Sequence, residues 1–352
     1  MSAPPRHRTW NLATAALFTV IWRSPMAESP NTPTLASIRL HWVRVALHEP
    51  FRISSGEVSI KDSLLVELEG SGAGRGRTTG WGEASPMPGD FYSPETPETT
   101  WDFLVHRLAP SFLERPELDP RQCSARLAEF AGEPFAKAGL EGAVWDLAAK
   151  ASAQPLWALL GGRKRALASG AAIGLMPTLD DLLERVERFL AEGYRRIKIK
   201  IAPGRDVELV RGVRRRFGDI PLMVDANAAY RLEDGCVFEE LDELGLMMIE
   251  QPLEREALAE HAELQRRLRT PLCLDESADS LESIREIIRL GSGRILNIKV
   301  PSSRPGAGSG HPMLVGDYAG TGHCLCARLA SRHARELHAP FRRRSFVAMV
   351  RR

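Results

Sequence analysis

The sequence predicts an α/β protein, in which a (β/α) barrel that is incomplete after its sixth strand follows a smaller α+β domain. Two observations carry this prediction. After Gly161-Gly162, short apolar runs alternate with amphipathic helical stretches, as in successive βα units. Charged residues end these apolar runs at a nearly constant spacing of one βα unit. So many consecutive units favour a (β/α) barrel over an open sheet.

Composition excludes several classes of protein. At 352 residues the chain is long enough for two domains, and its 43% hydrophobic and 26% charged residues are ordinary for a soluble globular protein. A net charge of +2 gives no reason to expect nucleic acid or an anionic membrane as partner. Five scattered cysteines without a repeated C-x-x-C pair indicate reduced thiols, neither a disulfide framework nor a zinc finger.

The first 35 residues are predicted to be a disordered extension. A basic stretch, Arg6 to Arg8, precedes an apolar run from Trp10 to Trp22 and loosely resembles a signal peptide. The run is too short to span a bilayer, and no small-x-small cleavage site follows it. We therefore expect a cytoplasmic protein, with Met1 and Met26 both open as its start.

Residues 36–160 are predicted to form the α+β domain. The pattern from Ala36 to Gly82 is strand-like, and a Pro- and Ser-rich loop follows from Ser85 to Pro97. An amphipathic helix then ends before Pro155. The apolar face of that helix comprises Leu140, Ala143, Val144, Leu147, Ala148 and Ala151.

Residues 161–300 are predicted to supply six barrel strands. The helix after the first strand is expected to begin at Thr178, with Asp180 and Asp181 in its first turn, and to end at Gly193. The predicted strands are Ala168–Leu175, Arg195–Ile201, Pro221–Val224, Leu246–Ile249, Pro271–Leu274 and Ile295–Ile298.

Five charged residues lie at the carboxyl ends of five successive predicted strands: Lys200, Asp225, Glu250, Asp275 and Lys299. In a barrel such strand ends converge on one mouth, where catalytic residues gather. A single Asp there is more often a helix N-cap, but that role does not explain five charged residues in phase. Three carboxylates form an all-oxygen site, which suits Mg²⁺ or Mn²⁺ better than zinc.

The lysines of the second predicted strand have two explanations. In Ile197–Ile201, lysine alternates with isoleucine, which usually indicates a solvent-exposed face. A strand inside a βα repeat has both faces covered, so Lys198 and Lys200 are expected to point into the barrel. A buried amine near a second amine, such as Lys299, has a lowered pKa and can act as a base near neutrality.

Five motifs resemble the muconate lactonizing enzyme subgroup of the enolase superfamily, and within it the o-succinylbenzoate synthases and N-succinylamino acid racemases. The likeness extends from about Ile38 to Val300. The motifs are Lys198-Ile199-Lys200, Val224-Asp225-Ala226-Asn227, Ile249-Glu250-Gln251-Pro252, Leu274-Asp275-Glu276-Ser277 and Asn297-Ile298-Lys299-Val300.

The resemblance implies a role for each charged residue. Asp225, Glu250 and Asp275 would bind Mg²⁺, which would hold the carboxylate of a small-molecule substrate. Lys200 would take the α-proton, and the metal would stabilise the resulting enediolate. Lys198 would help to neutralise the same carboxylate.

The resemblance also implies contacts on the other side of the substrate. Lys299 would stabilise the intermediate in a synthase and return a proton in a racemase, and Asn227 would bind substrate. Phe51 to Glu57 and Ser85 to Pro94 would be lids of an enolase-type capping domain. The expected activity is o-succinylbenzoate synthase, a dehydration in menaquinone biosynthesis, with N-acylamino acid racemase as the alternative. A homo-oligomer is expected of an intact family member.

Residues 301–352 depart from the family pattern. They contain nine Arg and no Lys, show no helical or strand period, and place His323-x-x-Cys326 without further zinc ligands. A frameshift would produce such an aberrant Arg-rich tail. The sixth strand would then keep an unpaired edge, and the chain would be a poorly active or non-catalytic product.

Overall fold

The computed structural model describes residues 17–23, 34–71, 76–89, 93–162, 170–299 and 313–315. An antiparallel four-stranded sheet with its helices comes first, and a parallel sheet of βα units follows. This is the predicted order of an α+β domain and a parallel α/β domain.

The antiparallel sheet has the strand order β1-β2-β3-β4. Its strands are β1 (Leu17–Arg23), β2 (Thr34–Ile53), β3 (Gly56–Ser71) and β4 (Arg77–Ala84). The predicted disorder of residues 1–35 is wrong for Leu17–Arg23, which pairs with β2 from Leu17↔Val43 to Arg23↔Ser37. This segment is rich in β-branched and aromatic residues, which favour a strand once an edge such as that of β2 is available.

Helices cover one face of this sheet. Leu64, Val66 and Leu68 alternate along β3 and pack with buried residues of the helices in one apolar core. The predicted amphipathic helix is α4, and its Leu140 and Leu147 lie in this core. The helices are α1 (Pro97–Phe103), which continues through a π-helical turn (Leu104–Leu108) into α2 (Ala109–Glu114), then α3 (Pro120–Leu127), α4 (Pro134–Ala151) and α5 (Leu156–Leu159).

The parallel half confirms the predicted alternation of strands and helices. The largest departure is the fourth strand, because the apolar run starting at Leu246 begins in the turn after Gly245, whose φ is positive. The strands are β5 (Gly170–Ile173), β6 (Arg196–Lys200), β7 (Leu222–Asp225), β8 (Ile249–Glu250), β9 (Leu272–Leu274) and β10 (Ile295–Ile298). The helices are α6 (Leu179–Ala191), α7 (Val207–Phe217), α8 (Gly235–Asp242), α9 (Leu258–Arg267) and α10 (Leu281–Leu290).

The start of α6 shows how local sequence sets these boundaries. The Thr178 hydroxyl accepts a hydrogen bond from the Asp181 N–H, while the Asp181 carboxylate accepts one from the Thr178 N–H. This reciprocal capping box, with Asp180 also in the first turn, confirms the predicted helix start. The helix gives way to Gly193, whose φ is +92°.

The parallel sheet extends one strand beyond the prediction. A short strand, β11 (Met313–Val315), pairs with β10 in parallel from Leu296↔Met313 to Ile298↔Val315. The predicted unpaired edge of the sixth strand is therefore wrong where the two strands pair, since β11 takes up backbone groups of that edge. The aberrant character of residues 301–352 as a whole stays a prediction. Among the described residues the sheet runs from β5 to β11. The tail's other residues, including His323 and Cys326, lie outside the described part of the chain.

Within the described ranges, no helix is both long enough and apolar enough to cross a lipid bilayer.

Candidate active site

The five predicted charged residues lie at the carboxyl ends of five consecutive strands, at one edge of the sheet. Lys200, Asp225 and Glu250 are the last residues of β6, β7 and β8, and they stand side by side in the strand register. Asp275 and Lys299 directly follow β9 and β10. Because all five strands are parallel, their carboxyl ends lie at the same edge, as the 25-residue spacing predicted.

The second barrel strand is buried on both faces, as predicted. Ile197 and Ile199 of β6 lie in the apolar core with residues of α6 and α7. Lys198 and Lys200 point to the opposite face and are also buried. A buried ammonium group requires a partner, so the contacts of these two lysines define the site.

Lys198 bridges two of the predicted metal ligands. Its Nζ forms ion pairs with Asp225 Oδ2 and with Glu250 Oε1, the latter at 2.7 Å. Lys200 Nζ also contacts Asp225 Oδ2 at 2.7 Å. Asp225 and Glu250 therefore lie on either side of one ammonium group, within the short reach that joint binding of a cation requires.

Asp275 pairs with the lysine of the next strand. Lys299 Nζ lies 2.5 Å from Asp275 Oδ2, and both side chains are buried. Asn297, two residues before Lys299 on the same strand face, donates to Glu250 Oε1 at 2.9 Å. Our sequence reasoning missed a role for Asn297, although the period-2 alternation from Lys299 would have indicated that it faces the site.

Asn227 contacts the predicted base. Its backbone N–H donates to Asp225 Oδ1 at 3.0 Å, and its Oδ1 accepts from Lys200 Nζ at 2.5 Å. Its Nδ2 donates to Glu276 Oε1 at 3.0 Å, which brings in a second residue that the sequence reasoning did not single out. Asn227 adopts φ +44°, a left-handed conformation that Asn tolerates better than most residues.

The pKa values of three ionisable side chains in the site are shifted, and the shifts have different causes. Burial is the main cause that lowers the pKa of Lys200, and the charge of Lys198 lowers it further, against the opposing effect of Asp225. Burial alone would raise the pKa of Asp225, but Lys198 and Lys200 together hold it below its usual range. For Asp275 burial prevails over Lys299 and raises the pKa to about 6.

The donors present are oxygens that suit Mg²⁺. Among the residues that the structure describes, no three His, Cys, Asp or Glu side chains are grouped to hold a metal ion. Lys198 lies between Asp225 and Glu250, and Lys299 is paired with Asp275. Three buried carboxylates face the site, and the buried Asn297 Oδ1 has no hydrogen-bond partner in the described residues. Such a hard-oxygen set fits Mg²⁺ or Mn²⁺, so the metal-binding role of Asp225, Glu250 and Asp275 stays a prediction that the chemistry favours.

A hairpin of the antiparallel sheet reaches the mouth of this site. Ser54, between β2 and β3, donates weak 3.4 Å hydrogen bonds to the carbonyl oxygens of Ala226 and Asn227. The Leu175 N–H, just after β5, donates to the Arg52 carbonyl at 3.0 Å. The predicted lid at Phe51–Glu57 therefore touches the strand ends. The second predicted lid, Ser85–Pro94, includes residues 90–92, which lie outside the described ranges.

Comparison with known proteins agrees with this architecture. Residues 36–161 match the mandelate racemase/muconate lactonizing enzyme N-terminal domain, and residues 181–304 match the enolase C-terminal domain-like family. The chain is 46% identical over 261 residues to an o-succinylbenzoate synthase of Geobacillus kaustophilus, covering 74% of this chain and 68% of the relative. It is 42% identical over 266 residues to an N-succinylamino acid racemase of Amycolatopsis, covering 75% of this chain and 71% of the relative. The chain belongs to the enolase superfamily, in its mandelate racemase/muconate lactonizing enzyme branch.

Solved structures place the fold in the same family. An enolase-superfamily member from Listeria innocua superposes with a TM-score of 0.70 at 33% identity, covering 78% of this chain and 72% of that chain. An N-succinyl Arg/Lys racemase from Bacillus cereus gives a TM-score of 0.73 over 91% of this chain and 86% of that chain, at 24% identity, which shows likeness of fold alone. The predicted enolase-type fold and family resemblance are confirmed.

Proposed function

We propose that this chain abstracts a proton next to a substrate carboxylate with the help of Mg²⁺, as an o-succinylbenzoate synthase. The observation that carries the proposal is the row of three buried lysines and three buried carboxylates at adjacent strand ends. Relatives named o-succinylbenzoate synthase are 42–46% identical over about three quarters of the chain, which favours the dehydration reaction.

Lys200 is the proposed base. Burial lowers its pKa, which raises the share of neutral amine near pH 7 and makes proton abstraction feasible. The 2.5 Å hydrogen bond to Asn227 and the 2.7 Å contact with Asp225 fix the position of its Nζ. The proton taken from the α-carbon would reside on this amine.

Lys198, on the same strand as the base, and Lys299, after β10, would provide positive charge in the site. Lys198 would attract the substrate carboxylate, and Lys299 would stabilise the charge that develops when the α-proton leaves. Buried carboxylates hold both ammonium groups in place: Asp225 and Glu250 hold Lys198, and Asp275 holds Lys299. Neither side chain therefore has to move far to reach the substrate.

Asp225, Glu250 and Asp275 are the residues that would hold Mg²⁺. When bound, the ion would supply a divalent positive charge that anchors the substrate carboxylate and stabilises the enediolate. With Lys200 neutral as the base, the three carboxylates exceed the two remaining ammonium groups by one negative charge, so a dication together with a singly charged anionic substrate would leave the site close to neutral.

N-acylamino acid racemisation is the second candidate. It is favoured by two buried lysines on different strands, Lys200 and Lys299, because racemisation requires a proton donor or acceptor on each face of the α-carbon. Relatives named N-succinylamino acid racemase are 41–42% identical to this chain.

The test compares both activities in the purified chain with Mg²⁺. We expect o-succinylbenzoate to form from its hydrated precursor, and Lys200→Ala to abolish this turnover. Lys299→Arg should abolish racemisation of an N-succinylamino acid yet leave Lys200 able to exchange the α-proton of one enantiomer with solvent deuterium. The control is Lys150→Arg, an exposed lysine of α4 paired with Asp146, which should change neither activity.

Three results would count against the assignment. Exchange of both enantiomers in Lys299→Arg would show that the lysine roles are wrong. Full synthase turnover in Lys200→Ala would remove the proposed base. Mg²⁺ binding without either activity would favour the non-catalytic alternative for this chain.

A further inference from the structure

Gln251 joins the ends of two strands that carry predicted metal ligands. The residue follows Glu250 directly and is completely buried. Its side-chain Oε1 accepts hydrogen bonds from the backbone N–H of Asp275 at 2.9 Å and of Ser277 at 3.2 Å. One oxygen therefore holds the backbone on both sides of the turn that follows β9.

The amide nitrogen of Gln251 completes the link. Nε2 donates to Ser277 Oγ at 2.7 Å and to the Leu253 carbonyl at 3.1 Å. A glutamine amide offers two donor hydrogens and two acceptor lone pairs, and here all four are used. Glutamate lacks the two donors, and an apolar side chain would leave the Asp275 and Ser277 N–H groups buried without partners.

The backbone of Gln251 is constrained as well. Its φ is +37°, a conformation that a non-glycine residue adopts only where surrounding contacts hold it. Its N–H donates to the Cys273 carbonyl at 2.8 Å, and its carbonyl accepts from the Ala228 N–H at 2.8 Å. The residue thus contacts the ends of β7, β8 and β9 at once.

We propose that Gln251 is a positioning residue that sets the placement of the Asp275 carboxylate relative to Glu250, and so sets the affinity of the site for a divalent cation. The inference rests on the proposed function, in which both carboxylates hold Mg²⁺. Gln251 itself contacts neither carboxylate group in the described hydrogen bonds. It acts through the backbone of Asp275 and through its own covalent bond to Glu250.

Gln265, in α9, provides a matched control. It contacts the start of β9, whereas Gln251 contacts the turn after the end of β9. Gln265 is also buried, and its Oε1 accepts from the Leu272 N–H at 2.8 Å, at the start of β9. Its Nε2 contacts the carbonyl oxygens of Leu268 and Thr270 at 3.4 and 3.2 Å. Loss of this amide removes buried backbone hydrogen bonds from β9 without touching the turn at Asp275.

The experiment compares Gln251→Met with Gln265→Met, two substitutions that nearly conserve volume. Mg²⁺ and Mn²⁺ affinities are measured by titration calorimetry, and backbone amide exchange by mass spectrometry. Both variants should melt below wild type. Only Gln251→Met should weaken cation affinity, by tenfold or more, and speed exchange of the amides at 275–277. Gln265→Met should stay within twofold of the wild-type affinity.

A less disruptive substitution, Ser277→Ala, tests the proposal if Gln251→Met does not fold. Ser277→Ala removes one hydroxyl that accepts from Gln251 Nε2, and it should weaken cation affinity about threefold. If Gln251→Met binds the cation as tightly as wild type, the positioning role is overturned and the proposed function still stands. If Gln251→Met does not fold, equal affinity in wild type and Ser277→Ala has the same meaning. An equal loss in Gln251→Met and Gln265→Met would also overturn it, as a general effect of destabilisation. A wild-type chain that binds neither cation would overturn both the inference and the proposed function.

Discussion

Two glycines of one helix are expected to respond in opposite directions to the same substitution. Gly139 and Gly142 both lie inside α4, which packs on β4. A Cβ at Gly139 would stand 2.8 Å from the Ala84 N and 2.9 Å from the Ala84 Cβ. A Cβ at Gly142 would meet only the Gly82 Cα, at an ordinary 3.7 Å.

The magnitudes follow from these contacts. Alanine in place of glycine in a helix interior is worth about 1 kcal/mol in either position. At Gly142 nothing opposes this gain, so Gly142→Ala should stabilise the protein. At Gly139 the new methyl group meets backbone of β4, which cannot rotate away, and overpacking of this kind costs about 1–3 kcal/mol. The two variants should therefore differ by about 1–3 kcal/mol in the free energy of unfolding, since the helix gain is common to both.

Thermal unfolding followed by circular dichroism measures the difference. In a protein of about 150–250 residues, 1 kcal/mol shifts the melting temperature by about 2–4 °C. On this scale Gly139→Ala should melt roughly 2–12 °C below Gly142→Ala. Equal melting temperatures would show that β4 moves away from α4 at no cost, and would refute the reasoning from close backbone packing.

Two further predictions concern pH and the sheet edge. Burial lowers the pKa of His261 to about 4, so between pH 6.5 and 4 the unfolded chain binds a proton that the native chain does not, and stability falls as pH falls through this window. The expected loss from pH 7 to pH 4 is about 3 kcal/mol more in wild type than in His261→Gln, measured by urea unfolding. In hydrogen exchange, the amides of 296–298 and 313–315 should be protected by the pairing of β10 with β11.

Each of these two predictions has a result that would contradict it. The same pH dependence in His261→Gln as in wild type would contradict the assigned role. Exchange of 313–315 as fast as in a free peptide would contradict the pairing and restore the unpaired edge that the sequence predicted.

The strand-end residues were predictable because their signal is local. Each of Lys200, Asp225, Glu250, Asp275 and Lys299 ends an apolar run, and the βα repeat converts equal spacing along the chain into proximity at one sheet edge. Only the two-sided burial of the parallel sheet was needed to turn the lysines inward. The same reasoning gave α6 its start from Thr178 and its first-turn acids.

The parts that were missed depend on partners distant in sequence. Leu17–Arg23 forms a strand only because β2 offers it an edge, and β2 begins 11 residues later at Thr34. Gln251 and Asn297 are buried polar residues whose hydrogen bonds reach partners 24 and 47 residues away along the chain. The period-2 alternation from Lys299 indicates which way Asn297 faces, but no period in the sequence identifies its partner or that of Gln251, because the partner is set by which strand lies beside each residue.

The strained backbone at the mouth of the site is held in place by hydrogen bonds between neighbouring strand ends. Within residues 170–299, the non-glycine residues with positive φ are Asn227, Ala228 and Gln251, and all three lie in turns that leave a strand ending in a carboxylate. Such backbone costs of order 1–3 kcal/mol per residue and persists where neighbouring contacts hold it. Here the holding contact is a hydrogen bond between the two turns, from the Ala228 N–H to the Gln251 carbonyl. Each strained turn is thus stabilised by the next strand of the sheet, so a change that loosens the pairing of neighbouring strands should also displace the acids that the turns hold in place.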